Sequence, residues 1–195
     1  MDKIDTIYDH YKETFQISRD MQQKRGKLFV ALCLFELLNV VVLIFPNEFV
    51  KVVSEMINSQ YQTTVSLNIA ILQSAVWITI TYLMVRYYQT NIYVERQYKY
   101  IALLEEKIST EINDDCFNRE STNYLTKYPK VLDLISTFYT WIIPVLIIVA
   151  NTIKIIFEWI YRINIWGTLF DTFCFVFCVV LSCLYLALMH PKKKN

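Results

Sequence analysis

Glycine, proline and charge are scarce in this chain. Its 195 residues include 2 Gly and 4 Pro, and Asp, Glu, Lys and Arg together make up 19%, against about 25% in ordinary soluble domains. Loops that cradle phosphate groups depend on several glycines. The scarcity of glycine therefore argues strongly against a nucleotide-binding loop. The low charge argues against a disordered chain and against an ordinary water-soluble enzyme.

Catalytic and metal-binding patterns are also missing. The sequence has no G-x-S-x-G, H-E-x-x-H or C-x-x-C motif, and its two histidines, His10 and His190, lie at opposite ends. Five cysteines without such spacing predict neither a disulfide framework nor a zinc site, and Cys174 and Cys178 are expected to pack as small apolar residues. A net charge of +1 provides no field to attract nucleic acid. We therefore expect no enzyme, no cofactor, no metal and no nucleic-acid partner.

Apolar sequence is abundant, at 55% of the residues, and it falls into four blocks of the length that a bilayer requires, about 17–25 residues. These predict an all-α membrane protein with four transmembrane helices and cytoplasmic helical extensions. The blocks are about Leu28–Phe45, Val65–Val85, Val131–Ile153 and Ile165–Met189. The predicted parts are an amphipathic helix (1–27), a first hairpin with a short outer helix (28–85), a cytoplasmic helical segment (86–130), a second hairpin (131–190) and a basic tail (191–195).

The distribution of Lys and Arg predicts the orientation. Sixteen of the 19 lie before the first block, between the second and third blocks, or in the tail; Lys51, Lys154 and Arg162 are assigned to the outer connections. Cytoplasmic connections carry the excess of Lys and Arg in membrane proteins, so both termini and residues 86–130 should be cytoplasmic. The Ile, Lys, Asn and Tyr-rich composition favours a bacterial chain, hence the bacterial inner membrane.

Three segments outside the blocks show helical patterns. The N-terminal segment places Ile4, Tyr8, Tyr11 and Phe15 on one face of a helix, and the outer connection carries a second stripe of Phe49, Val53, Met56 and Ile57. After the second block, four apolar residues follow a short heptad pattern, and they are Val94, Ile101, Leu104 and Ile108. This stripe needs a partner, either the N-terminal helix or its own copy in a homo-oligomer. A shorter helix is expected around Arg119–Leu125, and these extensions could also recruit a cytoplasmic protein.

Glu36 is the most informative polar residue, because it falls at the middle of the first block. A charged side chain there costs about 2.5–3.5 kcal/mol on insertion scales. It is therefore either a carboxylate on an ion pathway or a structural group that hydrogen-bonds a neighbouring helix through Gln73 or Asn68. No Lys or Arg is expected within the membrane as its partner. Asn39 lies one turn away, Asp171 either reaches the outer interface or lines an entrance, and Pro144 should disturb the third helix.

The overall plan resembles that of a known family. An amphipathic helix containing Arg19-Asp20 and Lys24-Arg25 runs into the first block, the long helix carries Glu95-Arg96-Gln97-Tyr98, and Tyr139-Thr140-Trp141 precedes Pro144. This layout resembles the SLATT-type membrane proteins of bacteria, and the resemblance implies an oligomeric, pore-forming effector in antiviral defence. Two alternatives are a membrane sensor or anchor that recruits a cytoplasmic effector, and a small transporter, which the lack of a repeat disfavours.

Overall fold

The computed structural model describes residues 3–62, 68–113, 137–161 and 164–189, and these residues are helical almost throughout, with no strand among them. Five α-helices follow in order: α1 (Lys3–Ile44), α2 (Pro46–Tyr61), α3 (Ile69–Ile112), α4 (Ile143–Tyr161) and α5 (Ile165–Met189). A π-helical turn, Phe138–Ile142, precedes α4. The all-α prediction is confirmed.

Within the described part of the chain, four helical stretches are long and apolar enough to cross a membrane: Ile4–Ile44, Ile69–Ile112, Phe138–Tyr161 and Ile165–Leu188. The chain is thus a multi-pass membrane protein by length and composition. Helix α4 continues to Tyr161, beyond the predicted end of the third block at Ile153. Other predicted features lie outside the described residues: positions 131–136 of the third block, the helix expected around Arg119–Leu125, one of the five cysteines (Cys116) and the tail 191–195.

Local sequence explains where the helices begin. Pro46 occupies the first turn of α2, where its missing N–H leaves no bond unmade. The side-chain oxygens of Asn68 and Asn164 accept hydrogen bonds from the amides of Ala70 (2.9 Å) and Trp166 (3.1 Å), which caps α3 and α5. Before α4, the expected disturbance at Pro144 takes the form of the π-helical turn, since proline cannot donate to the preceding turn.

The chain divides into two compact units. The helix-pair unit comprises the described residues of Met1–Leu28 and Tyr87–Tyr139, and the bundle unit comprises those of Phe29–Arg86 and Thr140–Asn195. The bundle unit therefore contains the C-terminal part of α1, the N-terminal part of α3, and α2, α4 and α5. Close packing in this unit is visible at Gly167, where an added Cβ would lie 3.3 Å from Cβ of Ala70.

The helix-pair unit buries the heptad stripe within a single chain. Val94, Ile101, Leu104 and Ile108 are each at most 6% exposed. The N-terminal part of α1 lies against this region of α3: Tyr11 donates a hydrogen bond of 3.0 Å to buried Glu105, and His10 Nε2 lies 2.8 Å from the hydroxyl of Tyr100. No second copy is needed to cover the stripe. Oligomerisation stays a prediction, but it no longer follows from these four residues.

The buried face of the N-terminal helix differs slightly from the prediction. Tyr8 is 45% exposed, whereas Thr14 and Ser18 are buried. The Thr14 hydroxyl donates to the carbonyl of His10 at 2.7 Å, so this polar group is satisfied by its own helix. Small polar residues therefore lie at the centre of the buried face. A search for apolar periodicity does not select them.

Candidate functional site: a charged cavity in the bundle unit

The bundle unit has an apolar exterior and a polar interior. In its described helical residues 29–44, 69–85, 143–161 and 165–188, every exposed side chain is aliphatic, aromatic or a cysteine. The four acidic and basic residues of the same stretches are turned inward, namely Glu36, Lys154, Glu158 and Asp171, and the last three are at most 6% exposed. A helix bundle in lipid requires this arrangement, since charged groups there must face the interior.

Lys154 and Glu158 form an ion pair inside the unit. They are four residues apart on α4, their charged atoms are 3.2 Å apart, and both side chains are at most 4% exposed. The indole N–H of Trp77, on α3, donates a 3.0 Å hydrogen bond to the same carboxylate oxygen of Glu158. The expectation that the spans contain no Lys or Arg is therefore wrong. An opposite charge one turn away lets Lys154 remain within an apolar helix.

Asp171 is the second buried carboxylate of this cluster. It lies on α5, is 2% exposed, and accepts a 2.8 Å hydrogen bond from the hydroxyl of Ser74 on α3. It also interacts electrostatically with Lys154 and Glu158. Asp171 also lines the cavity described below, and both interpretations, that it reaches the membrane interface or lines an entrance, stay predictions.

The cluster lines a cavity of about 1020 Å³. The cavity lies at the end of the unit where α1 and α4 end and where α3 and α5 begin. Its polar lining includes Lys154, Glu158 and Asp171 together with Gln73 and Thr168. Much of the remaining lining is apolar, and it includes Val40, Leu43, Ile44, Ile69, Ile153 and Phe157. Concave sites with mainly apolar walls and a few convergent polar groups are typical of small-molecule binding sites.

Glu36 is bonded to α4. Its carboxylate accepts a 2.8 Å hydrogen bond from the side-chain amide of Asn151, so the predicted partners were wrong. Gln73 lines the cavity instead, and Asn68 caps α3. Sequence reasoning missed Asn151 because only the packing of α1 on α4 brings it to Glu36.

Two amide oxygens beside Glu36 lack a hydrogen-bond donor among the described residues. Asn39, three residues along α1, is 2% exposed, and Asn151 is 1% exposed; the side-chain oxygen of each is buried and accepts no bond. An unsatisfied buried polar atom is costly. These are the atoms that water or a cation would satisfy. Of the predicted polar residues, Glu36 and Asn39 thus share one part of the interior, while Gln73 and Asp171 line the cavity.

A line of polar groups follows one face of α4. Asn151, Lys154 and Glu158 are all buried and are spaced by three and four residues, which places them on one side of the helix. Seven residues of helix extend about 10 Å. The line therefore leads from the cavity to Glu36. This spacing can be read from the sequence. It is missed when Lys154 is assigned to the outer connection and not to the helix.

At the other end of the unit the interior is mainly apolar. Leu32, Ile80, Met84, Ile143 and Ile147 are all at most 8% exposed. Ser182 is also buried there, and its hydroxyl donates to the carbonyl of Cys178 on its own helix. The polar line therefore leads toward mainly apolar buried side chains at this end.

The cysteines among the described residues, Cys33, Cys174, Cys178 and Cys183, are free thiols. Cys174 and Cys178 are buried in the bundle unit, and Cys178 Sγ lies 3.4 Å from the hydroxyl of Thr81. Among the residues that the structure describes, no group of three or more His, Cys, Asp or Glu could hold a metal ion. Comparison with protein-family models, curated proteins and solved structures gives no match. The candidate site therefore rests on its geometry.

Proposed function

We propose that the bundle unit forms a pathway for ions through the membrane. The observation that carries this proposal is the buried cluster of Lys154, Glu158 and Asp171, which lines the cavity inside an apolar exterior. Buried charges of this kind are costly to maintain and in membrane proteins they commonly mark ion or substrate pathways. A purely structural bundle would be at least as stable with apolar residues in their place.

The proposed pathway lies within one bundle unit. A pore between copies of the chain would be lined by outward-facing side chains, and in this unit the outward faces are apolar, as illustrated by Ile78, Ile156, Phe173 and Val180. The polar groups that could replace the hydration of an ion are instead inside. Assembly into a homo-oligomer is compatible with this proposal, but each copy would carry its own pathway.

We infer that the buried apolar residues Leu32, Met84 and Ile147 close the proposed pathway at the end away from the cavity. Conduction would require these side chains to separate, as hydrophobic constrictions do when they gate by wetting. This same closure favours a second candidate function, a membrane anchor or sensor without a conducting path that recruits a cytoplasmic protein. Measurement of ion flux separates the two.

The test uses purified protein in sealed liposomes loaded with potassium. We expect the wild-type protein to release potassium under an imposed potential, and Glu36→Gln to change the rate or the ion selectivity, because Gln still accepts the bond from Asn151 but cannot carry charge. Glu55→Gln is the matched control, since Glu55 is exposed on α2. Liposomes that stay tight with the wild-type protein, under voltage and across pH, would favour the anchor.

For the orientation we propose that both termini are cytoplasmic and that the membrane is the bacterial inner membrane. With α4 extended to Tyr161, Lys154 lies inside the bundle, so still fewer basic residues remain on the proposed outer side. In sealed cells an impermeant thiol reagent should label a cysteine at Gln60 but not one at Asn113. The reverse pattern would invert the topology.

The proposed biological role is that of a pore-forming effector in antiphage defence, which rests on the SLATT-type layout. Controlled expression in a bacterial host should depolarise the inner membrane, and Glu36→Gln should lessen this effect at equal protein level. A membrane potential unaffected by expression, with or without phage infection, would contradict the role.

A further inference from the structure

We propose that the cavity of the bundle unit binds a protonated primary amine carried on a small apolar or aromatic body. The ammonium group would lie between Glu158 and Asp171, and the body would contact the apolar lining. This names a ligand for the same cavity that the proposed ion pathway uses, but binding can be measured whether or not the protein conducts.

The charge of the cluster favours a cation. Two carboxylates, Glu158 and Asp171, face one ammonium group, that of Lys154, and all three side chains line the cavity. If all three are ionised, one negative charge is left over. In a buried site, surplus charge is expected to be neutralised by a proton or a counter-ion. A ligand with one positive charge would complete the cluster.

An unpartnered atom marks the binding position. One oxygen of Glu158 accepts from Trp77 and contacts Lys154, whereas its second oxygen, Oε2, is buried without a donor among the described residues. Glu158 as a whole is 6% exposed. Asp171 uses one oxygen for Ser74. An ammonium group with three N–H donors can serve Oε2 and Asp171 together, which a quaternary ammonium cannot.

The lining favours an organic body over a hydrated inorganic ion. Apolar side chains from α1, α3 and α4 surround the charged groups, including Leu43, Ile69 and Ile153. Phe157 and Tyr161 also line the cavity and are stacked, with ring centroids 6.1 Å apart. A volume of about 1020 Å³ accommodates a drug-sized molecule, for which cavities of about 300–1,000 Å³ are usual.

The test measures binding of 2-phenylethylamine to the purified full-length protein by titration calorimetry at neutral pH. Two probes of similar shape serve as references: 2-phenylethanol, which has no charge, and phenylethyltrimethylammonium, which has no N–H donor. We expect the amine to bind most tightly, and potassium chloride to compete far less well than a second primary amine. Equal binding of the alcohol, or equal competition by potassium, would overturn the proposal.

Two variants of the cluster should change the affinity for the amine in opposite directions. Asp171→Asn keeps an acceptor for Ser74 but removes a charge, and should weaken amine binding by about 10- to 100-fold, as expected for loss of a charged hydrogen bond. Lys154→Met leaves the two carboxylates without their internal cation and should tighten amine binding. A merely structural cluster would show weaker binding in both. The exposed control Glu55→Gln should leave binding unchanged.

The folding of each variant is checked by its elution volume in size-exclusion chromatography and by thermal denaturation. If Lys154→Met does not fold, Asp171→Asn alone decides, because unaltered amine affinity in that folded variant contradicts the proposal. Amine binding without ion flux would refute the ion pathway and support the amine site. Ion flux without amine binding would refute the amine site and support the ion pathway.

Discussion

The two units of this chain differ in where most of their charged and apolar side chains lie. In the helix-pair unit, charged side chains such as Asp9, Lys12 and Lys107 are exposed, and apolar residues such as Ile101 form the buried stripe. In the bundle unit, the exposed positions of the spanning helices are apolar, and Lys154 and Glu158 are buried.

This inversion indicates a different surrounding for each unit. Water stabilises charged side chains at a surface and drives apolar ones inward, which accounts for the helix-pair unit. Hydrocarbon solvates apolar surface and cannot satisfy polar groups, which accounts for the bundle unit. Helices α1 and α3 each contribute residues to both units, so the burial pattern changes along a single helix.

The largest expected effect comes from breaking the buried ion pair. Glu158→Ala leaves Lys154 without its partner, and we expect a loss of about 3–5 kcal/mol in the free energy of unfolding. The matched pair Lys51–Glu55 has the same spacing but is largely exposed, with 4.0 Å between the charged atoms. Glu55→Ala should change stability by no more than about 0.5 kcal/mol. Denaturation in mixed micelles measures both, and equal effects would contradict the assigned burial.

A smaller effect is expected in the core of the helix-pair unit. Ile101→Ala removes a side chain that is 2% exposed and should cost about 2–3 kcal/mol, the lower part of the range for such truncations, because a two-helix core can partly collapse. Leu103→Ala is the control, since Leu103 is 55% exposed. Hydrogen exchange of the α3 amides should rise for Ile101→Ala alone. A dissociating oligomer with unchanged exchange would instead place Ile101 between copies.

The smallest effect concerns a single hydrogen bond in the same unit. Tyr11→Phe removes the hydroxyl that donates to Glu105, whose side chain is fully buried. We expect a loss of about 1 kcal/mol, measured as the shift in thermal denaturation. Tyr8→Phe, at a 45% exposed position, should shift it less. A larger shift for Tyr8→Phe would mean that the buried face of α1 has been assigned incorrectly.

Sequence reasoning recovers the elements of this fold better than its contacts. Apolar length identifies four helices, and the heptad spacing of Val94, Ile101 and Ile108 identifies the residues that become buried. Hydropathy predicts an end of the third block at Ile153 because it counts Lys154 as a charge in lipid, whereas Glu158 lies one turn away to pair with it.

The candidate site was harder to predict than the fold. Glu36 and Asp171 are recognisable because isolated acids in apolar blocks are costly. Their partners Asn151 and Ser74 lie on other helices, 115 and 97 residues away in sequence. No local period specifies such pairs, since they depend on how the helices pack.

The most direct test of the central claim, that the bundle unit has a lipid-facing exterior and a water-accessible polar interior, compares two single cysteines. In a chain whose natural cysteines are replaced by alanine, Thr168→Cys introduces a thiol at a cavity-lining position that is 7% exposed, and Phe173→Cys introduces one at a position that is 69% exposed. A water-soluble, charged thiol reagent is supplied to both sides of proteoliposomes. We expect rapid modification of the cysteine at position 168 and little at position 173, although position 173 is the more exposed of the two in the protein alone. Faster modification at 173 would contradict it.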